Sequence, residues 1–266
     1  MTATITHTGK VILAAAGCGD PELITVKALR RLQQTDVVLT DRLVSENILK
    51  EYINPAAEII YVGKQNNKTG SATQEDINQL LVHYALQGKM VVRLKGGDIA
   101  FFSNVLDELQ TLVDNNIPYE IIPGITAASG ASAYAGIPLT ARGYATSVRF
   151  LTCYKTDTVT AVYWKELAAT DDTLVFYMSS ETLDTVVDNL AAHNIDAGKL
   201  VAVVEQATTP MQKVSIGSIY DYADTLKGKT FASPTIVIIG KVVALHKQFA
   251  WQLNAATGAL YFNPVN

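Results

Sequence analysis

The chain has 266 residues, 48% hydrophobic and 17% charged, with a formal net charge of −4 at pH 7. That length and apolar share suit one large globular domain or two of ordinary size. The acidic balance excludes a general nucleic-acid or membrane-surface binder, so any polyanionic ligand must meet a local cluster of Lys and Arg.

No apolar run approaches the roughly 20 residues of a membrane span. Residues 1–10 are polar and threonine-rich, without an apolar signal core. Cys18 and Cys153 form no C-x-x-C pair, and the histidines lack metal-ligand spacing. A cytosolic protein with neither a disulfide frame nor a metal is expected.

Residues 11–16 read as a short apolar strand that runs into Gly17-Cys18-Gly19-Asp20-Pro21-Glu22. Asp20 can cap a helix with Pro21 at its first position, and Leu23, Val26, Ala28, Leu29 and Leu32 supply an apolar face. A second strand over 36–40 ends at Asp41-Arg42, and 43–52 is helical in pattern. A third strand over 59–62 ends at Gly63-Lys64, followed by a polar loop over 65–72. Thr73 opens the next helix as a capping box with Asp76 and carries it to about residue 87. The run Val91-Val92-Arg93-Leu94-Lys95-Gly96-Gly97-Asp98 is a buried strand entering a tight loop. Strand alternation directs Arg93 and Lys95 to one common face. A helix over 104–115 and a fifth strand over 119–122 complete an alternating series, which predicts a parallel wound sheet.

Pro123-Gly124 breaks the alternation and marks a domain boundary, giving an N-terminal α/β domain over 10–122. Residues 125–134 are a small-residue helix. Strands follow over 148–152, 173–177, 200–204, 213–216 and 235–239, with one helical pattern over 182–192. Closely spaced strands favour a mixed sheet in a second domain over 123–252, with 253–266 as a tail.

Familiar glycine loops fail. The first loop lacks the third glycine of a dinucleotide fingerprint, and no Gly-Lys pair is followed by Ser or Thr as a P-loop requires. What remains is a set of strand ends carrying glycine or charge: Gly17-Cys18-Gly19, Asp41-Arg42, Gly63-Lys64 and Gly96-Gly97-Asp98. In a parallel sheet such ends share one edge, where ligands bind. Read alone, Gly96-Gly97 is equally a plain turn, Asp41 a helix cap, Lys64 a solvated lysine and Met178 a core residue.

These stretches resemble the motifs of the tetrapyrrole methylases. So do Pro123-Gly124-Ile125-Thr126-Ala127-Ala128-Ser129, Ala133-Tyr134-Ala135-Gly136-Ile137-Pro138-Leu139-Thr140 and Phe176-Tyr177-Met178. The resemblance runs in order over residues 10–251. It implies an α/β protein whose N-terminal parallel wound sheet and C-terminal mixed-sheet domain enclose an active-site cleft. It implies S-adenosyl-L-methionine as cofactor, leaving as S-adenosyl-L-homocysteine. By matching position, Cys18, Gly96, Gly97, Asp98, Phe101, Thr126, Ala127, Met178 and Ala207 are the cofactor residues, with Asp41 as proton acceptor and Lys64 as proton donor. The implied reaction is methylation of uroporphyrinogen III at two pyrrole carbons to give precorrin-2, in a homodimer. The substrate's eight carboxylates call for cations, and Arg42, Arg142, Arg149 and Lys155 are the candidates.

The chain departs from the family pattern in three places. The usual Pro-Phe-x-Phe-Gly-Arg-Gly-Gly-Glu-Glu is Ile99-Ala100-Phe101-Phe102-Ser103-Asn104-Val105-Leu106-Asp107-Glu108. Leu-Thr-His-Arg becomes Leu139-Thr140-Ala141-Arg142, and Thr-Gly-His becomes Thr152-Cys153-Tyr154. An arginine and two histidines are missing from substrate-facing segments. The alternatives are a family enzyme acting on a precorrin and a silent S-adenosylmethionine binder.

Overall fold

The computed structural model describes residues 8–63, 72–153 and 159–262. The described residues fall into two compact units, 8–126 with Phe262, and 127–261.

The first unit contains β1 (Lys10–Ala15), α1 (Val26–Leu32), β2 (Val37–Thr40), α2 (Glu46–Glu51) and β3 (Glu58–Tyr61). It continues with α3 (Gln74–Leu86), β4 (Met90–Lys95), α4 (Val105–Asp114) and β5 (Tyr119–Ile122). The five strands form one parallel sheet in the order β3-β2-β4-β1-β5. Both faces are covered, which is why the strands read as unbroken apolar runs. Val11, Leu13, Val37, Leu39 and Val91 pack with Ile77, Leu81 and Leu112 of α3 and α4. Ile12, Ala14, Val38, Val92 and Leu94 pack with Ala28, Leu32, Ile48 and Leu49 of α1 and α2. Each such aliphatic side chain contributes roughly 1.5–3 kcal/mol on full burial.

The capping box of α3 forms: Asp76 N–H donates to Thr73 Oγ1 at 3.1 Å, and Thr73 N–H donates to Asp76 Oδ2 at 2.7 Å. The single helix expected after Asp20 is instead two pieces. Asp20 caps only a 3₁₀ turn at Pro21–Leu23, Ile24 and Thr25 are extended, and Thr25 caps α1 by accepting from Ala28 N–H at 3.2 Å.

The second unit contains α5 (Ala127–Ala135), β6 (Val148–Thr152), α6 (Ala161–Ala169), β7 (Thr173–Tyr177), α7 (Leu183–Ala192) and β8 (Leu200–Glu205). After these come β9 (Lys213–Ser218), α8 (Tyr222–Thr225), β10 (Thr235–Gly240), a 3₁₀ turn at Lys241–Leu245 and α9 (His246–Phe249). The sheet order is β6-β7-β10-β8-β9, parallel only between β6 and β7. The last strand therefore lies in the middle, with Ile236 and Ile238 packed on the α5 side and Val237 and Ile239 on the α6–α7 side. The apolar stretch 235–245 is thus a core strand with its following turn, buried on both faces, and not a free interface.

Two segments differ from expectation. α6 answers to no element that the pattern predicts; its N-cap is Thr160, and Trp164, Leu167 and Ala168 are its buried stripe. Asn254 and Ala255, in the expected tail, are bonded to the second unit. Asn254 bonds both the N–H (2.7 Å) and the carbonyl (3.1 Å) of Val214, and Ala255 N–H donates to Gln212 O at 2.9 Å.

Candidate functional site

The strand ends of the first sheet arrive in register. Ala15 pairs with Lys95 and Thr40 with Leu94, so the loops after β1, β2 and β4 start side by side. Gly17 and Gly97, both at positive φ (78° and 74°), exchange reciprocal main-chain bonds: Gly97 N–H to Gly17 O at 2.6 Å, and Gly17 N–H to Gly97 O at 3.1 Å. A side chain at Gly96 would meet Leu43 Cβ at 2.8 Å, and one at Gly124 would meet Ala15 Cβ at 2.6 Å. Glycine is required here for close approach of chain to chain.

Asp98 fixes the loop from inside. It is buried, and its Oδ1 accepts from Ala100 N–H at 2.8 Å while Oδ2 accepts from Gly124 N–H at 2.6 Å. Its carboxylate shapes the edge and ties the β4 and β5 loops together. Cys18 is buried beside this bridge, while Phe101 remains 38% exposed beyond it.

Asp41 follows β2 on the same edge. Its Oδ1 accepts from Leu43 N–H at 3.1 Å, an Asx turn that delays α2 until Glu46. Its Oδ2 lies 3.7 Å from Arg93 Nη2. Arg42, next along, is half-buried; burial lowers its pKa while the charge of Asp41 opposes the shift.

Arg93 and Lys95 share a face of β4, as alternation requires, but that face is covered. Arg93 Nε donates to Glu108 Oε1 at 3.0 Å, and Lys95 Nζ donates to both Glu108 oxygens at 3.1 Å. Glu108, on α4, is completely buried. Burial pulls the Lys95 pKa down, Arg93 lowers it further, and Glu108 pulls the other way. Motif matching missed Glu108 as a functional neighbour. The signal was two cations on one face of an apolar strand, which demand a buried anion opposite.

In the second unit, β6, β7 and β8 run in the same direction, so their carboxyl ends share one edge. Ile236 of β10 pairs with Tyr177 on one side and Val204 on the other, which sets those ends level. Met178 follows β7 at φ 52°, half-exposed, and Ala207 follows β8 between Gln206 (φ 46°) and Thr208 (φ 66°). Non-glycine residues held at positive φ cluster at functional edges. Ala127 opens α5, whose first turn reaches the same edge: Ala128 N–H donates to Tyr177 Oη at 3.0 Å. Small residues along α5 (Ala128, Ala131, Ala135) let it lie close on Val175, Val204 and Ile238. Thr126 ends the first unit.

The cations expected to meet the substrate fare differently. Arg149 donates from Nε to Asp172 Oδ2 at 2.5 Å and from Nη1 to Glu166 Oε1 at 2.6 Å, so two carboxylates already neutralise it. Ser147 and then Arg149 hold the Asp172 carboxyl at a pKa of about 2. Arg142 is exposed in the tight turn 141–145, whose ends pair as an isolated bridge, and has no ion-pair partner among the described residues. Lys64 and Lys155 lie outside the described residues. Among the described residues no group of three or more His, Cys, Asp or Glu could hold a metal ion.

Comparison with known proteins agrees with this architecture. The family model for Tetrapyrrole (Corrin/Porphyrin) Methylases matches residues 10–223. The uroporphyrin-III-C-methyltransferase of Thermus thermophilus superposes with a TM-score of 0.76 at 32% identity, covering 92% of this chain and 98% of that one. A structure of the Thermus thermophilus enzyme complexed with S-adenyl homocysteine gives 0.73 at 32% identity, over 89% and 100% of the two chains. A siroheme synthase of Acinetobacter baylyi is 49% identical over 243 residues, 91% of this chain and 53% of that protein. The chain spans about half the length of the curated relatives it matches. With a family match over most of its length and a solved relative covered almost end to end, the chain belongs to the tetrapyrrole methylases.

Proposed function

We propose that the chain is an S-adenosylmethionine-dependent methyltransferase that methylates two pyrrole carbons of uroporphyrinogen III. The product is precorrin-2, formed by way of precorrin-1, for sirohaem or cobalamin synthesis. The observation that carries this reading is the Asp41 carboxylate on the strand edge beside the Gly96–Asp98 loop, in a fold shared over nearly the whole length of the 32%-identical Thermus thermophilus enzyme.

The residues suit the cofactor. In the first unit Gly96 and Gly97 carry no side chain and Phe101 is partly exposed; in the second Ala127 and Ala207 are small and Met178 is exposed. Exposed apolar surface of that kind suits a purine. When bound, S-adenosylmethionine supplies an electrophilic methyl group. Thr126 and Asp98 complete the cofactor set, Asp98 by holding its loop.

An electron-rich pyrrole carbon is already a nucleophile, so the protein has to align it and exclude water, which supplies about 7–11 kcal/mol in favourable cases. The methylated ring is cationic and sheds a proton. Asp41 stabilises that charge and accepts the one proton the ring sheds, which leaves the methylated ring neutral, and Lys64 serves as proton donor only where a proton added at one ring position is matched by one lost from another. Arg42 and Arg142 meet the substrate carboxylates together with Lys155; Arg149 contributes less, being neutralised. The reading includes a cytoplasmic homodimer whose interface lies outside 235–245. No helix among the described residues is long and apolar enough to cross a membrane.

The deciding experiment is incubation of purified protein with uroporphyrinogen III and excess S-adenosylmethionine, followed by product mass. A gain of two methyl groups is expected. A gain of one, or turnover only of a precorrin, assigns another family reaction; binding without turnover assigns a silent binder.

A further inference from the structure

We propose that Arg93 is a positioning residue for Asp41, a role that rests on the reading of Asp41 as the acid–base carboxylate. Arg93 sits near the end of β4 with only 4% of its surface exposed, and three of the five N–H donors of its guanidinium are hydrogen-bonded. Nε is held by Glu108 Oε1 at 3.0 Å, and Nη1 by the carbonyls of Leu39 (3.3 Å) and Leu94 (3.1 Å). These bonds reach three elements: α4, β2 and β4. A planar guanidinium pinned at two nitrogens has no rotational freedom left, so Nη2 is delivered to one place, 3.7 Å from Asp41 Oδ2.

Asp41 is fixed from the other side by its Asx turn with Leu43. The carboxylate is therefore oriented at both oxygens, one by main chain and one by charge. The charge pattern points the same way. Glu108 is one buried anion facing two buried cations, Arg93 and Lys95. The surplus positive charge is matched by Asp41, which alone among the described members of the cluster has substantial solvent access (24% of its side chain). Arg93, locked by Glu108 and the two carbonyls, thus serves as a fixed cationic seat toward which Asp41 is aimed, while Lys95 completes the pairing of Glu108. A mobile Asp41 would be aimed at nothing.

Two substitutions separate positioning from mere support. Arg93→Met and Lys95→Met each remove one buried cation and leave Glu108 paired with the other, so the two variants change the net charge of the cluster equally. Only Arg93→Met removes the group beside Asp41. In Arg93→Met, kcat should fall roughly 10- to 100-fold, the scale of a misplaced catalytic group, while KM for either substrate changes less than threefold. In Lys95→Met, kcat should stay within about threefold. Should Arg93→Met fail to fold by circular dichroism, Arg93→Lys takes its place: it keeps the charge, loses the fork, and should show the same kcat loss. Combined with Asp41→Asn, either Arg93 variant should cost nothing further, because its target is gone. Equal losses in Arg93→Met and Lys95→Met, an unchanged kcat, or a full additional loss in the Asp41→Asn background would overturn the proposal. Full turnover by Asp41→Asn alone would instead overturn the reading of Asp41 on which it rests.

Discussion

Glu108→Gln tests the buried ion cluster at its centre, and its cost can be worked from the distances. Glutamine keeps an acceptor for Arg93 Nε but turns an NH₂ group toward Lys95 Nζ, which now bonds both carboxylate oxygens at 3.1 Å. Two donors then face each other in a site with no solvent access. The least costly relief is for Lys95 to lose its proton, as burial already favours. Neutralising a lysine, whose ordinary pKa is 10.5, at pH 7.5 costs about 4 kcal/mol, at roughly 1.4 kcal/mol per pH unit. That agrees with the 3–5 kcal/mol typical of breaking a buried pair by removing one partner. The pH dependence follows from the same step. Between the folded pKa of Lys95 and 10.5, the unfolded chain of the variant binds more protons than the folded one, so its stability rises with pH. Urea unfolding followed by far-ultraviolet circular dichroism should show a deficit against wild type of about 4 kcal/mol at pH 7.5 and about 2 kcal/mol at pH 9. A deficit below about 1 kcal/mol, or one that does not shrink as pH rises, would refute the reasoning.

Asp41→Asn should lower turnover by roughly 10²–10⁴ while leaving S-adenosylmethionine affinity within a few-fold by calorimetry; lost binding with normal turnover at saturation would make Asp41 a cofactor residue. Arg142→Ala should raise KM for the porphyrinogen and flatten its salt dependence, whereas Arg149→Ala should mainly lower stability, since its charge is taken by Asp172 and Glu166. Calorimetry on the folded protein should detect both S-adenosylmethionine and S-adenosylhomocysteine; no heat with either removes the cofactor assignment. Glu120, held at a pKa of about 2 by Lys10 and Lys27, should contribute stability above its ordinary 4.5 and lose it as pH falls toward 2, so Glu120→Gln should flatten acid unfolding across that window.

The strand Thr173–Tyr177, buried on both faces, was legible as an unbroken run of apolar and β-branched residues, and the bounds of the less buried β5 and β6 also fall where their runs predict. The capping box of α3 was legible for a local reason, as its two partners are three residues apart. α6 was not, because Val159, Thr160, Val162 and Tyr163 around its start are β-branched or aromatic residues that favour a strand. Its helical signal, the Trp164, Leu167 and Ala168 stripe, begins only after the cap. The tail escaped for another reason: it is held by Asn254 and Gln252 side chains on main-chain atoms, which leave no periodicity. At the site, the glycine and Asp41 motifs were visible as strand ends. Glu108 was not, since a charge on an amphipathic helix ordinarily faces water. Only the topology puts it under Arg93 and Lys95.

The same topology sorts the cations of an acidic protein proposed to hold a polyanion. Three on strands are neutralised by a carboxylate from a neighbouring helix: Arg93 and Lys95 by Glu108 of α4, and Arg149 by Glu166 of α6 with Asp172 before β7. A strand holds its side chains at fixed spacing, which suits permanent pairing but cannot adapt to a flexible ring of carboxylates. The arginines on loops at strand edges are placed otherwise. Arg42 stands half-buried beside Asp41, and Arg142 stands exposed in its turn. Loops can follow a ligand as it docks. Among the described residues, the cations left for the proposed substrate are therefore loop arginines such as Arg42 and Arg142. Replacing the family's histidine by Ala141, next to Arg142, bears on recognition of that substrate more than any strand position would.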